Sequence, residues 1–188
     1  MDKNFTGYAF TPSVKDQQEH YGSRGSYQMM ENSGARYLLT DKETEYISTL
    51  DHFYMATVGE NGWPYVQFRG GPTGFLKVID AQTMAFADYA GNRQYISVGN
   101  IKSGSKLSLI LLDFARQVRL KIWASAVVVE AAEDPDLTTK LSDPGYGAKV
   151  ERLITLTIEG FDWNCPKNIT PRYTVEEITA NPEAFWGR

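Results

Sequence analysis

The sequence predicts a mainly β domain with flanking helices, in which antiparallel strands form a barrel or a sandwich. Three observations lead to this fold class. Apolar and polar residues alternate from residue 53 onward, which is the period-two pattern of half-buried strands. Short turns such as Glu60-Asn61-Gly62 separate the alternating segments. Aromatic residues, mostly Tyr and Phe, make up 13% of the 188 residues and favour β structure.

About seven strands are predicted, and short turns between most of them indicate antiparallel neighbours. Their expected ranges are 53–58, 63–70, 75–80, 84–88, 107–113, 116–130 and 153–161. In the strand over 116–130, Gln117, Arg119 and Lys121 share one face. That face is either solvated, part of a dimer interface, or in contact with a ligand.

Helices are predicted on both sides of the strands and between them. Thr11-Pro12 has the N-cap and first-turn pattern of a helix that ends near Gly22, followed by an irregular arm. Thr40 with Glu43, and Thr174 with Glu177, form capping boxes. The ranges are a helix over 11–22, an arm over 22–36, a helix over 41–51, short helices at 92–99, after Asp134 and over 147–152, and a C-terminal helix.

The chain is expected to be one domain spanning residues 1–188. It divides into an N-terminal helix and arm (1–40), a barrel core (41–161), and a C-terminal loop with a short helix (162–188). The net charge is −4 with no long basic tract, which disfavours a nucleic-acid partner. No apolar run reaches the roughly 18 residues of a membrane span, and the start lacks a secretory signal, so a cytoplasmic protein is expected.

The few histidines and cysteines argue against a metal centre. Only His20, His52 and Cys165 exist, so no ligand cluster of useful spacing arises. Chemistry is therefore expected to rest on an organic cofactor. Asp51 and His52 are either an acid–base pair or the end of a helix. Cys165 is either a redox thiol beside Lys167 or an unreactive residue.

The segment from Phe86 to Ile96 is a candidate anion site, since a Gly turn joins a predicted strand to a predicted helix. Asn92, Arg93 and Gln94 are expected in the first helical turn, where free amides and the helix dipole favour an anion. The Arg93 guanidinium suits a phosphate group. The alternative is an ordinary solvated arginine.

The strand over 63–70 is a second candidate site. Gln67 and Arg69 share one face beside Gly70, and Phe68 on the other face is expected in the core. The polar face is either solvated, or it contacts a flat heteroaromatic ring that lies along the strand where glycine permits close approach.

Five segments in order resemble the pyridoxamine 5′-phosphate oxidase-related family of FMN-binding split barrels, over about residues 46–161. The segments are Met55-Ala56-Thr57-Val58, Gly62-Trp63-Pro64-Tyr65-Val66-Gln67, Phe86-Ala87-Asp88-Tyr89-Ala90-Gly91-Asn92-Arg93-Gln94, Leu107-Ser108-Leu109-Ile110-Leu111-Leu112 and Arg116-Gln117-Val118-Arg119-Leu120. The resemblance implies a six- to seven-stranded antiparallel split β-barrel that binds flavin mononucleotide (FMN).

The resemblance also implies roles for particular residues. The strand through Gln67, Phe68, Arg69 and Gly70 would run along the isoalloxazine ring. The other implied cofactor-binding residues are Ala87 and Asp88 beside the ring and ribityl chain, Asn92, Arg93 and Gln94 at the phosphate, and Gln117 from the following strand. The family forms homodimers with FMN at the interface. Gln117 and the loop over 162–167, which includes Trp163 and Asn164, are the candidate contributions of the second subunit.

Two departures from the family pattern matter. Gln94 stands where the oxidases usually have Lys, which removes one charge from the phosphate site. The oxidases' C-terminal Trp…Arg-x-His-x-Arg segment is absent, and residues 163–173 read WNCPKNITPRY instead. The chain is therefore more similar to a bacterial flavoprotein branch of the family, which shares this ending and the Phe-Thr-Pro start at Phe10.

The expected function is an FMN-dependent oxidoreductase that passes hydride or electrons to or from a small molecule, with NAD(P)H as a candidate donor. Arg69 and Gln117 would tune the flavin and Arg93 would anchor it; Arg24, Arg36 and Arg172 stay open as flavin contacts. Two alternatives remain. One is a flavin-binding or storage module without turnover. The other is a barrel for another cofactor, deazaflavin or haem, with haem disfavoured because neither histidine falls in the expected pocket.

Overall fold

A computed structural model describes residues 4–32, 36–164 and 166–183. In these ranges seven strands form one sheet with the order β2-β1-β5-β6-β7-β4-β3, and every neighbouring pair is antiparallel. The strands are β1 (His52–Val58), β2 (Pro64–Gly70), β3 (Lys77–Asp80), β4 (Thr83–Tyr89), β5 (Lys106–Asp113), β6 (Val118–Glu130) and β7 (Val150–Asn164). The predicted mainly β, antiparallel split barrel with flanking helices is confirmed.

Helices precede and follow the strands, and two more lie between strands. They are α1 (Phe5–Ala9), α2 (Pro12–His20), α3 (Arg24–Glu31), α4 (Asp41–Ser48), α5 (Ile96–Gly104), α6 (Pro135–Leu141) and α7 (Val175–Ala180). Both predicted capping boxes are present, at Thr40/Glu43 and Thr174/Glu177. No helix within the described ranges has the length and apolar character that crossing a bilayer requires.

The N-terminal region is more helical than predicted. The arm expected over 22–36 contains α3, whose Arg24 forms ion pairs and hydrogen bonds with Glu31 and Gln18. Lys15 reaches the same Glu31 at 2.8 Å, so α2 and α3 are held side by side. These contacts between helices are not visible in the local Gly- and Ser-rich composition.

The main core lies inside the curved sheet. Nine of its fully buried members come from alternate positions of β1, β5, β6 and β7: Phe53, Met55, Leu109, Leu111, Leu120, Ile122, Ile154, Leu156 and Ile158. Helix α4 covers one end through Ile47, and the Tyr46 hydroxyl donates to the carbonyls of Leu111 and Val118, each at 3.1 Å. Alternation on β6 is as predicted, with Leu120 and Ile122 buried and Arg119 and Lys121 on the other side.

Strand β7 begins earlier and ends later than predicted. The helix expected over 147–152 is wrong, because from Val150 onward this segment pairs with the end of β4, with Tyr89 opposite Val150 and Asp88 opposite Arg152. The far end reaches Asn164, so Trp163 and Asn164 lie on a strand rather than in the predicted loop. Cys165 lies outside the described residues.

The outward side of β1, β2 and β5 carries exposed apolar side chains. Tyr54 stands opposite both Phe68 and Ile110, and Val66 follows along β2. These four residues, here called the outer face, are 36–61% exposed. The prediction that Phe68 belongs to the core is wrong, because Gln67 and Arg69 turn inward to hydrogen-bond partners and Phe68 is 57% exposed.

Candidate functional site

A cavity of about 170 Å³ opens where β2, the end of β4, the start of α5 and the start of β7 meet. Its lining is strongly polar and includes three arginines and two carboxylates. The lining residues are Gln67, Arg69, Asp88, Tyr89, Gly91, Asn92, Arg93, Tyr95, Ser97, Val98, Glu151 and Arg152. We call this the cationic cavity.

Buried ion pairs form one wall of the cationic cavity. Asp88 is 4% exposed and accepts hydrogen bonds from two arginines, Arg69 on β2 and Arg152 on β7. The Arg152 Nε atom donates to Asp88 Oδ2 at 3.0 Å, and Arg152 Nη2 donates to Glu151 Oε2 at 2.5 Å. Burial lowers the pKa of Arg152, but these hydrogen bonds outweigh burial and raise it.

The charges of the cationic cavity do not cancel. Arg69, Arg93 and Arg152 carry three positive charges, whereas Asp88 and Glu151 carry two negative ones. The Arg93 guanidinium is exposed, and a hydrogen bond with Tyr95, helped by Glu151, raises its pKa. Arg93 therefore stays charged and has no carboxylate hydrogen-bonded to it among the described residues. The cavity is suited to an anion.

The loop in front of α5 differs from the prediction. Helix α5 begins at Ile96, so Asn92, Arg93 and Gln94 precede the helix instead of forming its first turn. The Asn92 Oδ1 atom accepts the Gln94 amide at 3.1 Å, an Asx turn that competes with helical hydrogen bonding. Arg93 has φ of 61°, in the left-handed region. Asn92 and Arg93 line the cavity, but Gln94 does not.

The first turn of α5 faces the cationic cavity through Ser97 and Val98. The N-cap residue, Tyr95, makes no side-chain hydrogen bond to this turn. Ser97 is 1% exposed, and its hydroxyl donates to the Gln67 side-chain carbonyl at 2.7 Å. This bond fixes α5 against β2. The positive end of the α5 dipole is thus directed at the same space as Arg93.

Two buried polar atoms of this wall have no hydrogen-bond partner, Arg69 Nε and the Tyr89 hydroxyl. Burial, with smaller contributions from Asp143 and Tyr146, raises the pKa of Tyr89, so its hydroxyl keeps its proton. Buried polar groups are nearly always hydrogen-bonded. Both residues therefore fit contacts to a bound ligand.

An aromatic groove of about 230 Å³ adjoins the cationic cavity and shares Arg69, Asp88 and Tyr89 with it. Its other lining residues are mostly apolar: Phe68, Gly70, Phe75, Phe86, Ala87, Ala90, Tyr146 and Ala148. Gly70 leaves the β2 backbone uncovered, and a Cβ atom there would lie 2.8 Å from the Phe68 ring. The two spaces together fit a ligand with a flat aromatic part and an anionic part.

Three predicted site residues lie elsewhere in this chain. Gln117 precedes β6 with φ of 55°, and its side-chain amide donates to the Ile169 carbonyl. The Trp163 indole donates to Glu43 at 2.7 Å and packs on Tyr46. Asn164 lies beside Trp163, and its Oδ1 atom is buried without a partner. None of the three lines the cationic cavity or the aromatic groove.

The open arginines have different positions. Arg24 belongs to the α2–α3 contact, and the Arg172 guanidinium lies 4.7 Å from the centre of the Phe114 ring. Neither lines the cationic cavity. Within the described ranges, no group of three or more His, Asp, Glu or Cys side chains could hold a metal ion.

Sequence reasoning missed Arg152, Glu151, Tyr95 and Ser97. The signal for Arg152 is the period-two pattern of β7. Extended backwards from Ile154, this pattern puts Arg152 on the same face of the strand as Ile154. Ser97 carried no comparable signal, because its role depends on Gln67, 30 residues earlier.

Solved structures of similar fold cover two thirds or more of this chain. A candidate pyridoxamine 5′-phosphate oxidase from Lactobacillus delbrueckii is 25% identical, and the match covers 67% of this chain and 94% of that one, with a TM-score of 0.50. An FMN-binding protein from Syntrophomonas wolfei is 14% identical over 78% and 97% of the two chains, with a TM-score of 0.50. HupZ from Group A Streptococcus is 14% identical over 68% and 100%, with a TM-score of 0.51.

The sequence comparisons agree with the fold. No curated protein matches the chain. A family model described as Pyridoxamine 5′-phosphate oxidase matches residues 39–160, which span α4 and all strands up to most of β7. The chain belongs to the pyridoxamine 5′-phosphate oxidase family.

Proposed function

We propose that this protein is a homodimeric FMN-binding flavoprotein and an oxidoreductase that passes hydride or electrons between FMN and a small molecule. The observation that carries the proposal is the cationic cavity beside the aromatic groove, with Arg69 Nε and the Tyr89 hydroxyl buried and unpartnered between them. A mononucleotide of a flat heteroaromatic ring has this distribution of polar and apolar parts. The family membership supports the same choice of ligand.

The terminal phosphate of FMN would occupy the cationic cavity. Arg93 offers an exposed guanidinium, and the first turn of α5 adds backbone amides and its dipole. The net charge of the cavity side chains is positive before a ligand binds. A phosphate dianion would therefore be favoured over a neutral group of the same size.

Arg152 would supply the second cation that Gln94 lacks. Gln94 is exposed and outside the cavity, whereas Arg152 lines it from β7. Two of the Arg152 nitrogens are bonded to Asp88 and Glu151, which leaves Nη1 without a hydrogen bond among the described residues. Asp88 would thus hold Arg152 in place.

The isoalloxazine ring would lie in the aromatic groove along β2, next to Gly70 and Ala87. When bound, this ring supplies the chemistry, since its N5 atom exchanges hydride with a substrate. Arg69, held by Asp88, would bring a fixed positive charge to the ring and so favour its reduced, anionic form. Ala87 and Asp88 would line the ribityl chain.

The remaining proposed contacts require a second subunit. Gln117, Trp163 and Asn164 line neither the cationic cavity nor the aromatic groove, so a role for them in FMN binding needs a second subunit. The outer face (Tyr54, Val66, Phe68, Ile110) is the apolar surface that supports a dimer at this position. Gln117, Trp163 and Asn164 would then come from the partner subunit.

Flavin binding and turnover are tested separately. The purified protein should be yellow, or take up added FMN at one per subunit, as measured by absorbance after gel filtration. A protein that stays colourless after incubation with FMN would contradict flavin binding. Anaerobic addition of NADH or NADPH should then bleach the flavin absorbance; a bound flavin that neither donor reduces would instead favour the storage module.

A further inference from the structure

A separate cavity of about 420 Å³ lies between the end of α4, the start of β1, the β5–β6 turn and residues 172–177. It shares no lining residue with the cationic cavity or the aromatic groove. Its volume falls within the roughly 300–1,000 Å³ of small-molecule sites. Its walls combine apolar groups with an imidazole, two guanidinium groups and three carboxylates. We call it the His52 cavity.

The His52 ring is fixed on three sides. Its Nδ1 atom lies 2.6 Å from Asp51 Oδ1, and its faces stack on Phe68 and Phe114, with ring centres 5.6 and 6.3 Å apart and interplanar angles of 18° and 14°. A carboxylate only accepts hydrogen bonds, so Nδ1 carries a proton. The remaining nitrogen, Nε2, has no partner in the described part of the chain.

Most charged groups of the His52 cavity already have a hydrogen-bond partner. Arg116 binds Asp113 through its guanidinium at 3.2 Å, and Glu177 accepts the Thr174 amide at 2.8 Å in the α7 capping box. Asp51 is engaged by His52. Arg172 differs, because its guanidinium rests on the Phe114 ring and has no hydrogen bond or ion pair with any described residue.

Among the charged and imidazole groups of this cavity, the Arg172 guanidinium and His52 Nε2 have no hydrogen bond to a described residue, and both side chains contact Phe114. An oxyanion paired with Arg172 would satisfy the cation, since guanidinium forms strong, charge-assisted hydrogen bonds with carboxylate or phosphate. We propose that the His52 cavity binds a small molecule carrying a carboxylate or phosphate group, with Arg172 as its ion partner and His52 Nε2 as a second hydrogen-bonding contact.

Phe68 connects this site to the proposed flavin. Its ring stacks on His52 and also lines the aromatic groove. If the isoalloxazine ring lies in that groove, only the Phe68 side chain would separate it from the anion. Small carboxylates or phosphates would then be the substrate class of the enzyme. This last step rests on the proposed function, but binding of an anion in the His52 cavity does not.

The chain has only two histidines, which makes the test direct. Imidazole resonances of His52 would be followed by NMR at fixed pH and ionic strength during titration with acetate or with inorganic phosphate. We expect a saturable shift of the His52 signals with at least one of these anions. His20, exposed on α2, is the internal reference and should not shift.

Variants identify the cation involved. Arg172→Gln should abolish the saturable shift, and the matched control Arg116→Gln, which removes a paired arginine of the same cavity, should retain it. Arg93→Gln should also retain it, which separates this site from the cationic cavity. No saturable His52 shift with either anion, or a shift that persists in Arg172→Gln, would overturn the proposal.

The flavin plays no part in that readout, so the two proposals fail independently. In the FMN-loaded protein the same titration should also change the flavin absorbance spectrum, and Arg172→Gln should remove this change. An anion that shifts His52 without altering the spectrum would keep the binding site and overturn its role as the substrate site.

Discussion

Asp88 on β4 and Arg152 on β7 are direct cross-strand partners, and Asp88 Oδ2 accepts a hydrogen bond from Arg152 Nε at 3.0 Å. The other Asp88 oxygen accepts from Arg69 on β2. One buried carboxylate thus holds two guanidinium groups at the wall shared by the cationic cavity and the aromatic groove. Asp88 thus contributes to the position of both arginines, and Glu151 also pairs with Arg152.

Replacing Asp88 should therefore destabilise the fold. Asp88→Asn removes the one carboxylate that pairs with Arg69 in the described ranges and one of the two that pair with Arg152, and breaking a buried pair typically costs about 3–5 kcal/mol. Urea unfolding of the protein without added ligand would measure the loss. Glu151→Gln is the matched control, because Glu151 is more exposed and such pairs contribute about 1 kcal/mol or less. Equal unfolding free energies for Asp88→Asn and Glu151→Gln would contradict this account.

Glu43 should make stability depend on acid pH. Burial raises the pKa of this 4%-exposed carboxyl, but hydrogen bonds from Thr40 and Trp163 outweigh burial and lower it. A lowered pKa in the folded state means that the unfolded chain binds the proton first. The stabilisation is complete above the ordinary value of 4.5 and is lost as pH falls from there through the lower folded pKa.

The measurement is urea unfolding at neutral pH and across the acid range. Wild-type stability should fall more steeply in acid than that of Glu43→Gln, which cannot ionise. Glu45→Gln, on the same helix but exposed, is the control and should follow the wild type. Parallel acid profiles for wild type and Glu43→Gln would count against a lowered pKa.

Gly160 should be required for docking of α1. A Cβ atom at this position would lie 2.5 Å from the Phe5 backbone nitrogen, and Phe5 stacks on Trp123 next to it. Gly160→Ala should lower the unfolding free energy by about 1–3 kcal/mol and increase amide exchange in α1. Gly99→Ala, an exposed helix position with open space, should be neutral or slightly stabilising. Unchanged exchange in α1 would show that the helix is not held there.

The outer face is the proposed dimer interface, so a charge placed there should give a monomer. Phe68→Asp places a charge at its centre without touching the core, since Phe68 is 57% exposed. Light scattering should report a dimer for the wild type and a folded monomer for Phe68→Asp. Val127→Asp, at an equally exposed valine of β6 outside this face, should stay dimeric. A wild-type monomer, or a Phe68→Asp dimer, would be the contrary result.

The parts of the fold predicted correctly are those that local sequence determines. Capping boxes at Thr40 and Thr174 depend on residues three positions away, and period-two alternation depends on immediate neighbours. Alternation along β2 separates Val66 and Phe68 on one face from Gln67 and Arg69 on the other. It does not show which of the two faces is turned inward. Phe68 was therefore assigned to the wrong side.

The candidate site was predictable only in part, since it is assembled across strands distant in sequence. Arg93 and Arg69 could be selected from local motifs and the family resemblance. No local motif marks Arg152, because its role comes from Asp88, 64 residues earlier, and the preceding Asp143-Pro144-Gly145 turn obscures where the period-two pattern of β7 begins. The Asx turn at Asn92 likewise moved the start of α5 by four residues.

The role of the cationic cavity as a phosphate site is tested most directly by comparing FMN with riboflavin, which lacks only the phosphate. Fluorescence titration should give wild-type protein about ten- to hundredfold tighter binding of FMN, equivalent to one or two charge-assisted hydrogen bonds. In Arg93→Gln the ratio should decrease, because only Arg152 and the α5 amides would still hold the phosphate, while riboflavin affinity and the Gln94→Ala control stay unchanged. Equal wild-type affinity for the two flavins, or an unaltered ratio in Arg93→Gln, would contradict the assignment.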